Sequence, residues 1–209
     1  MIKHRRTRRA GIVRDETVLK FERRFGERSQ FFAEGLWAEG ARGRRAETLE
    51  LGVKHVFAEN LEAEFLAAAG IGLRAPLVGS CQFELRPFLA VAKALSSASW
   101  QGSLRLILPE SGLDRGGIEL GSVLHWLWSD WPRQPIPAIE LFAEKKPLSG
   151  GRWRYSAIPQ LRFGLNRRGH VMATVSYEYP LNARALRDER RWHLMLAWDF
   201  ADGGLLEGW

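Results

Sequence analysis

The chain has 209 residues, 45% of them hydrophobic, enough for one domain with a sizeable interior. Its single cysteine, Cys81, excludes an internal disulfide and a cysteine-based metal site, and no CxxCH is present to attach a c-type haem. The net charge of +7 would suit a nucleic-acid partner, but the basic excess sits in the head and in connections with no DNA- or RNA-binding motif beside it, so no such partner is expected.

The head, MIKHRRTRRAGIV, is basic and lacks the apolar core of a secretory signal. It reads as a disordered or truncated segment, residues 1–13, standing where a signal sequence and a further strand belong. From there apolar and polar residues alternate, the period of β-strands with one greasy face. Residues 17–25 place Leu19, Phe21 and Phe25 opposite Lys20, Glu22 and Arg24. A turn at 26–28 leads to a weaker strand over 30–38, which carries Glu34, and a basic loop follows at 40–46. Residues 48–57 put Leu49, Leu51, Val53 and Phe57 opposite Glu50 and Lys54. After a turn at 58–60, residues 61–73 set Phe65 and Ile71 against Glu62 and Glu64; the glycines there favour strand over helix. Glu84 and Arg86 alternate with Phe83, Leu85 and Leu89 over 83–95. Arg105 lies on a strand over 100–108, Glu119 on one over 117–128, and Glu140 on one over 136–144. Arg162 belongs to 153–165, and Glu178 to 170–179 after an NRRG turn.

The closing stretch, RRWHLMLAWDF, alternates strictly: Trp192, Leu194, Leu196, Trp198 and Phe200 share one face, with Asp199 on the other. Its length is about that of a tilted membrane-spanning strand, ~9–11 residues. No apolar run reaches the ~18 residues that a membrane-spanning helix needs, a criterion that leaves barrel strands untouched. About eleven strands are visible at near-regular spacing, with no helix of convincing period. Short and long connections mostly alternate along the chain, only 129–135 being longer than its place calls for, as the two rims of an outer-membrane barrel require. The expectation is an all-β, antiparallel up-and-down transmembrane β-barrel over residues 14–200, followed by a tail over 201–209. It has about twelve strands if one is missing from the N-terminus, and is localised to the outer membrane.

On this reading the polar faces line the lumen. The set is Lys20, Glu22, Glu34, Glu50, Lys54, Glu62, Glu64, Glu84, Arg86, Arg105, Glu119, Glu140, Arg162, Glu178 and Asp199, ten acidic and five basic groups. A net acidic lumen implies weak cation selectivity. The scattered histidines offer at most a metal pair, His170 with His193, and polar lining is the commoner role. Glu62 and Glu64 could do acid–base chemistry, but salt-bridged lining is again the commoner case. No GxSxG, HExxH or phosphate loop occurs. No catalytic site, cofactor or metal is assigned.

Two stretches carry a resemblance. The closing strand resembles the assembly signal of Gram-negative outer-membrane barrels, spaced apolar residues ending in Phe or Trp; that implies barrel-assembly machinery and outer-membrane lipid as partners. QLRFGLNRRGHVMATVSYEYPLN with LAWDFADGGLLEGW is similar to uncharacterised transporter-like barrels near the "MetA-pathway of phenol degradation" family, and 14–30 also looks familial. The resemblance implies a barrel of about twelve strands passing small solutes. The alternatives are a barrel partner of a periplasmic c-type cytochrome, a structural barrel with a filled lumen, and a soluble β-sandwich.

Overall fold

The computed structural model describes residues 1–9, 12–40, 43–79, 82–127, 135–166, 170–182 and 190–198. Twelve strands follow one another: β1 (Ile2–Arg9), β2 (Ile12–Phe25), β3 (Ser29–Gly40), β4 (Gly43–Asn60), β5 (Phe65–Pro76), β6 (Glu84–Leu95), β7 (Ala98–Pro109), β8 (Gly117–Trp126), β9 (Ile136–Lys145), β10 (Trp153–Gly164), β11 (Val171–Pro180) and β12 (Arg190–Trp198). Each is antiparallel to its sequence neighbours, and β1 pairs with β12, so the sheet closes into a barrel. Closure leaves no unpaired strand edge, the condition for crossing a bilayer with strands.

The head is the first correction. Residues expected to be disordered or to mark a missing strand form β1 and the start of β2, and supply the twelfth strand themselves. Alternation could not reveal β1 because both its faces are polar. Inward, Arg5 pairs with Glu16; outward, His4 and Arg6 lie 3.6 and 3.3 Å from Asp15. The basic loop expected at 40–46 is also largely strand, with Gly40 opposite Gly43. Glu47, the odd residue of β4, bulges opposite Leu36 and Trp37, and the strand runs on for 18 residues. The tail over 201–209 lies outside the described residues.

Directly opposed residues share a face of the sheet. Ile2 opposes Leu19 and Leu196, all exposed, and following the register from them gives one outward face. It is apolar nearly all the way round: Leu141 and Leu194 are each 53% exposed. A continuous belt of this kind is far beyond the few hundred Å² that a water-soluble monomer exposes, so the barrel is a transmembrane one and a soluble sandwich is excluded. Aromatic residues edge the belt. Phe25, Phe57, Trp126 and Trp198 stand at the end where β1 starts and β12 finishes, and Tyr155, Tyr179 and Trp192 at the other. Such girdles mark the two membrane interfaces. At the first end the connections at 26–28, 61–64 and 96–97 are short; those at 77–83, 110–116 and 146–152, at the far end, are longer.

Inside, part of the wall is packed. Phe32 and Phe88 meet edge to face at 6.0 Å, lying over Gly52 and Gly70. A Cβ on Gly70 would collide with the Phe88 ring and stand 2.6 Å from the Val53 carbonyl, so glycine is what lets the rings lie flat on the wall. Lys20 and Arg105 sit above the two rings at 5.5 and 5.8 Å.

Candidate functional site: the lumen wall

The register sorts the expected lumen residues. Lys20, Glu22, Glu34, Glu50, Lys54, Glu84, Arg86, Arg105, Glu119, Glu140, Arg162 and Glu178 all fall on the inward face. Glu62 and Glu64 do not. β4 continues to Asn60, and both glutamates stand exposed in the rim turn at 61–64, where the Asn60 side chain accepts the Ala63 N–H at 2.9 Å and Glu64 adopts φ 49. Asp199 lies outside the described residues, as does Phe200 of the expected assembly signal; Trp192, Leu194, Leu196 and Trp198 face outward together. The two histidines are not brought together: His193 opposes Ser176, while His170 precedes β11 and takes a hydrogen bond from Asn166 at 3.0 Å.

Several inward residues escape a reading by alternation. Lys3, Arg5, Arg14 and Glu16 belong to the unrecognised β1 and its partner β2. Arg74, Glu144, Arg154 and Arg191 stand at strand ends, beyond the apolar stretches that make a period visible. Parity could have found Arg154, two residues before Ser156 on one face. With these included, and with Arg45 opposite Ala38, Glu59 opposite Leu66 and Glu47 bonded to Arg14, the described inward face carries thirteen basic groups and eleven acidic ones: Lys3, Arg5, Arg14, Lys20, Arg24, Arg45, Lys54, Arg74, Arg86, Arg105, Arg154, Arg162 and Arg191, against Glu16, Glu22, Glu34, Glu47, Glu50, Glu59, Glu84, Glu119, Glu140, Glu144 and Glu178. The lumen is therefore net basic, which reverses the charge balance expected from the sequence.

Most of these charges are organised around buried carboxylates. Glu50, on β4, accepts from Arg86 at 2.7 Å and from Arg74 at 3.1 Å. Arg86 reaches past β7 to Glu119 at 3.3 Å, and Arg105 approaches the same carboxylate at 3.6 Å. Arg86 can span this way because β5 offers only Gly72 opposite it; a Cβ there would lie 2.6 Å from Glu50 Oε1. Across the barrel, Glu178 on β11 accepts from Arg154 at 2.9 Å, Ser156 at 3.0 Å and Arg191 at 3.3 Å, with His193 Nε2 at 3.5 Å. Pairing and charge-assisted hydrogen bonds are what make burial of these ions tolerable. Beside the first network, on the far-end side, a cavity of about 330 Å³ is bounded by Arg74, Glu84, Arg86, Glu119, Glu144 and Lys146.

No protein-family profile and no curated protein matches this sequence. Solved structures do. A KdgM porin superimposes with a TM-score of 0.65 at 16% identity, covering 95% of this chain and 98% of its own. NanC porin gives 0.69 at 13%, covering 95% and 100%. The COG4313 outer membrane channel from Pseudomonas putida F1 gives 0.69 at 11%, covering 93% and 92%. The likeness is one of fold. It spans nearly the whole of each chain, so the barrel of this protein has the architecture of outer-membrane porins from end to end.

Proposed function

We propose that this protein is an outer-membrane channel of porin type that passes small solutes and favours anions. The observation that carries the reading is the net basic inward face of a closed transmembrane barrel. A narrow, low-dielectric passage focuses the field of its lining charges, and basic linings favour anions. Twelve strands fall between filled eight-stranded barrels and open sixteen-stranded porins, so the passage is modest in width. A KdgM porin has been solved in complex with oligogalacturonate, an anionic solute, which supports the same direction of charge preference. Within this class we place the chain near the "MetA-pathway of phenol degradation" barrels that residues 153–209 resemble. Its partners are outer-membrane lipid along the belt and the barrel-assembly machinery at the closing strand. The test is reconstitution in planar bilayers across a potassium chloride gradient. Stepwise conductance with a reversal potential on the chloride side is expected. Silent recordings would favour a structural barrel with a filled lumen, and a reversal potential on the potassium side would reject the charge argument.

A further inference from the structure

The inward cations are not equivalent. Arg74 faces Glu50 and Glu84 across its two neighbouring strands, Arg154 faces Glu144, and Arg191 faces Glu178. Lys20 and Lys54 both hold Glu22, at 2.9 and 3.6 Å. Arg24 and Arg45 stand exposed near the two rims, opposite Gln30 and Ala38; Arg162 and Lys3, deeper in the wall, differ from the paired cations. Arg162 is flanked by Ile136 and Thr174, and Lys3 by Val18 and Met195, none of them charged. Among the described residues neither makes a salt bridge or a side-chain hydrogen bond, and the buried Nε of Arg162 has no acceptor. The carboxylate they share is Glu140, which feels both but is bonded instead to Gln160 at 2.7 Å. Lys3 also feels Glu178 and Glu34, whose nearer partners are Arg154 and Arg191 for the first and Arg74 for the second, and the like charge of Arg5. His125, only 3% exposed, lies within electrostatic reach of Arg162, and its Nε2 has no partner either. One register row, Lys3–Met195–Thr174–Arg162, links the two cations around the wall.

We infer that Arg162 and Lys3 are the groups that select and briefly hold a passing anion. The inward cations that hold carboxylates serve chiefly to neutralise and brace the wall. A guanidinium whose N–H groups are already bonded to carboxylates has few donors left for a solute, whereas those of Arg162 are free to turn to one. The inference rests on the channel reading above.

The test uses the full chain in planar bilayers, with potassium chloride as the probe. Each of Arg162→Gln and Lys3→Gln should lower the chloride-to-potassium permeability ratio by about two- to fourfold, the effect of removing one charge screened by water and salt. Arg162→Lys should keep most of the preference, because it keeps the charge. Lys93→Gln, which removes an outward-facing cation, should leave the ratio unchanged. The heat-dependent gel mobility of a folded barrel checks that each variant has closed. If the wild-type barrel conducts with an anion preference that Arg162→Gln and Lys3→Gln both leave intact, the inference is overturned while the channel reading stands. If the folded wild type never conducts, both fall together.

Discussion

The Glu178 network offers a sharp test of how the lumen is braced. Glu178 is 3% exposed, and its carboxylate gathers Arg154, Arg191 and Ser156 within 3.3 Å. Glu178→Leu keeps the volume and removes the acceptor. A hydrogen bond to a charged group contributes ~1.5–3 kcal/mol, and losing one partner of a buried ion pair costs ~3–5 kcal/mol. Arg154 keeps Glu144 at 3.2 Å, which recovers part of its share. Ser156 is fully buried and, among the described residues, loses the carboxylate that holds its hydroxyl. The expected loss is about 3–4 kcal/mol. Glu22→Leu serves as the comparison: Glu22 also binds two cations, but its side chain is 39% exposed, and solvent screening limits the loss to about 1 kcal/mol or less. Urea titration of the refolded barrels in lipid vesicles, read by tryptophan fluorescence, gives both numbers. Equal costs for the two substitutions would refute the view that the wall depends on its buried carboxylates. Removing either carboxylate should also raise the anion preference in bilayer recordings.

Three further outcomes are expected. In a Cys81→Ser background, the double substitution Ile2→Cys with Leu196→Cys should form an intramolecular disulfide on oxidation, since opposed residues place their Cβ atoms ~4.5–5.5 Å apart; failure to cross-link in the folded protein would contradict the β1–β12 seam. Gly70→Ala should destabilise the barrel by about 1–3 kcal/mol. Adding Phe88→Leu should restore only part of that loss, because the Val53 carbonyl, 2.6 Å from the new methyl, cannot move aside as a ring can; full restoration would show that the ring alone was in the way. Trp198→Ala should reduce the yield of folded barrel in the outer membrane more than Trp209→Ala, because Trp198 belongs to the outward apolar row of β12; equal yields would argue against an assembly signal on that row.

How much was legible follows from where apolar residues fall. β12, β10 and β2 announced themselves because leucines and aromatics recur on the lipid-facing side, through Trp192, Leu194, Leu196 and Trp198, through Tyr155, Leu161 and Phe163, and through Leu19, Phe21 and Phe25. The same repeat fixed twelve inward charges without any knowledge of partners. It failed where the greasy face stops. In β1 the outward positions include His4 and Arg6, satisfied by Asp15 on the next strand, so the signal lies in a pair of strands and not in either alone. It failed at 61–64 because glutamates two apart mimic a polar face, while the feature that turns the chain is the Asn60 side chain holding the Ala63 N–H. The sign of the lumen charge was misread for the same reason. The basic groups that decide it stand on β1 and at strand ends, and their roles follow only from register.

The polar outward side of β1 also constrains the order of events at the membrane. Most strands of this barrel could meet acyl chains on their outer side before their neighbours arrive. β1 could not: alone, it would carry Arg6 into the bilayer edge without its counter-charge. A charge stranded there costs a few kcal/mol, and it is neutralised only when Asp15 stands beside it. The β1–β2 hairpin must therefore already be paired when it enters lipid. β12, whose outer row runs Trp192, Leu194, Leu196 and Trp198, carries no such obligation and can wait at an open seam for β1 to reach it.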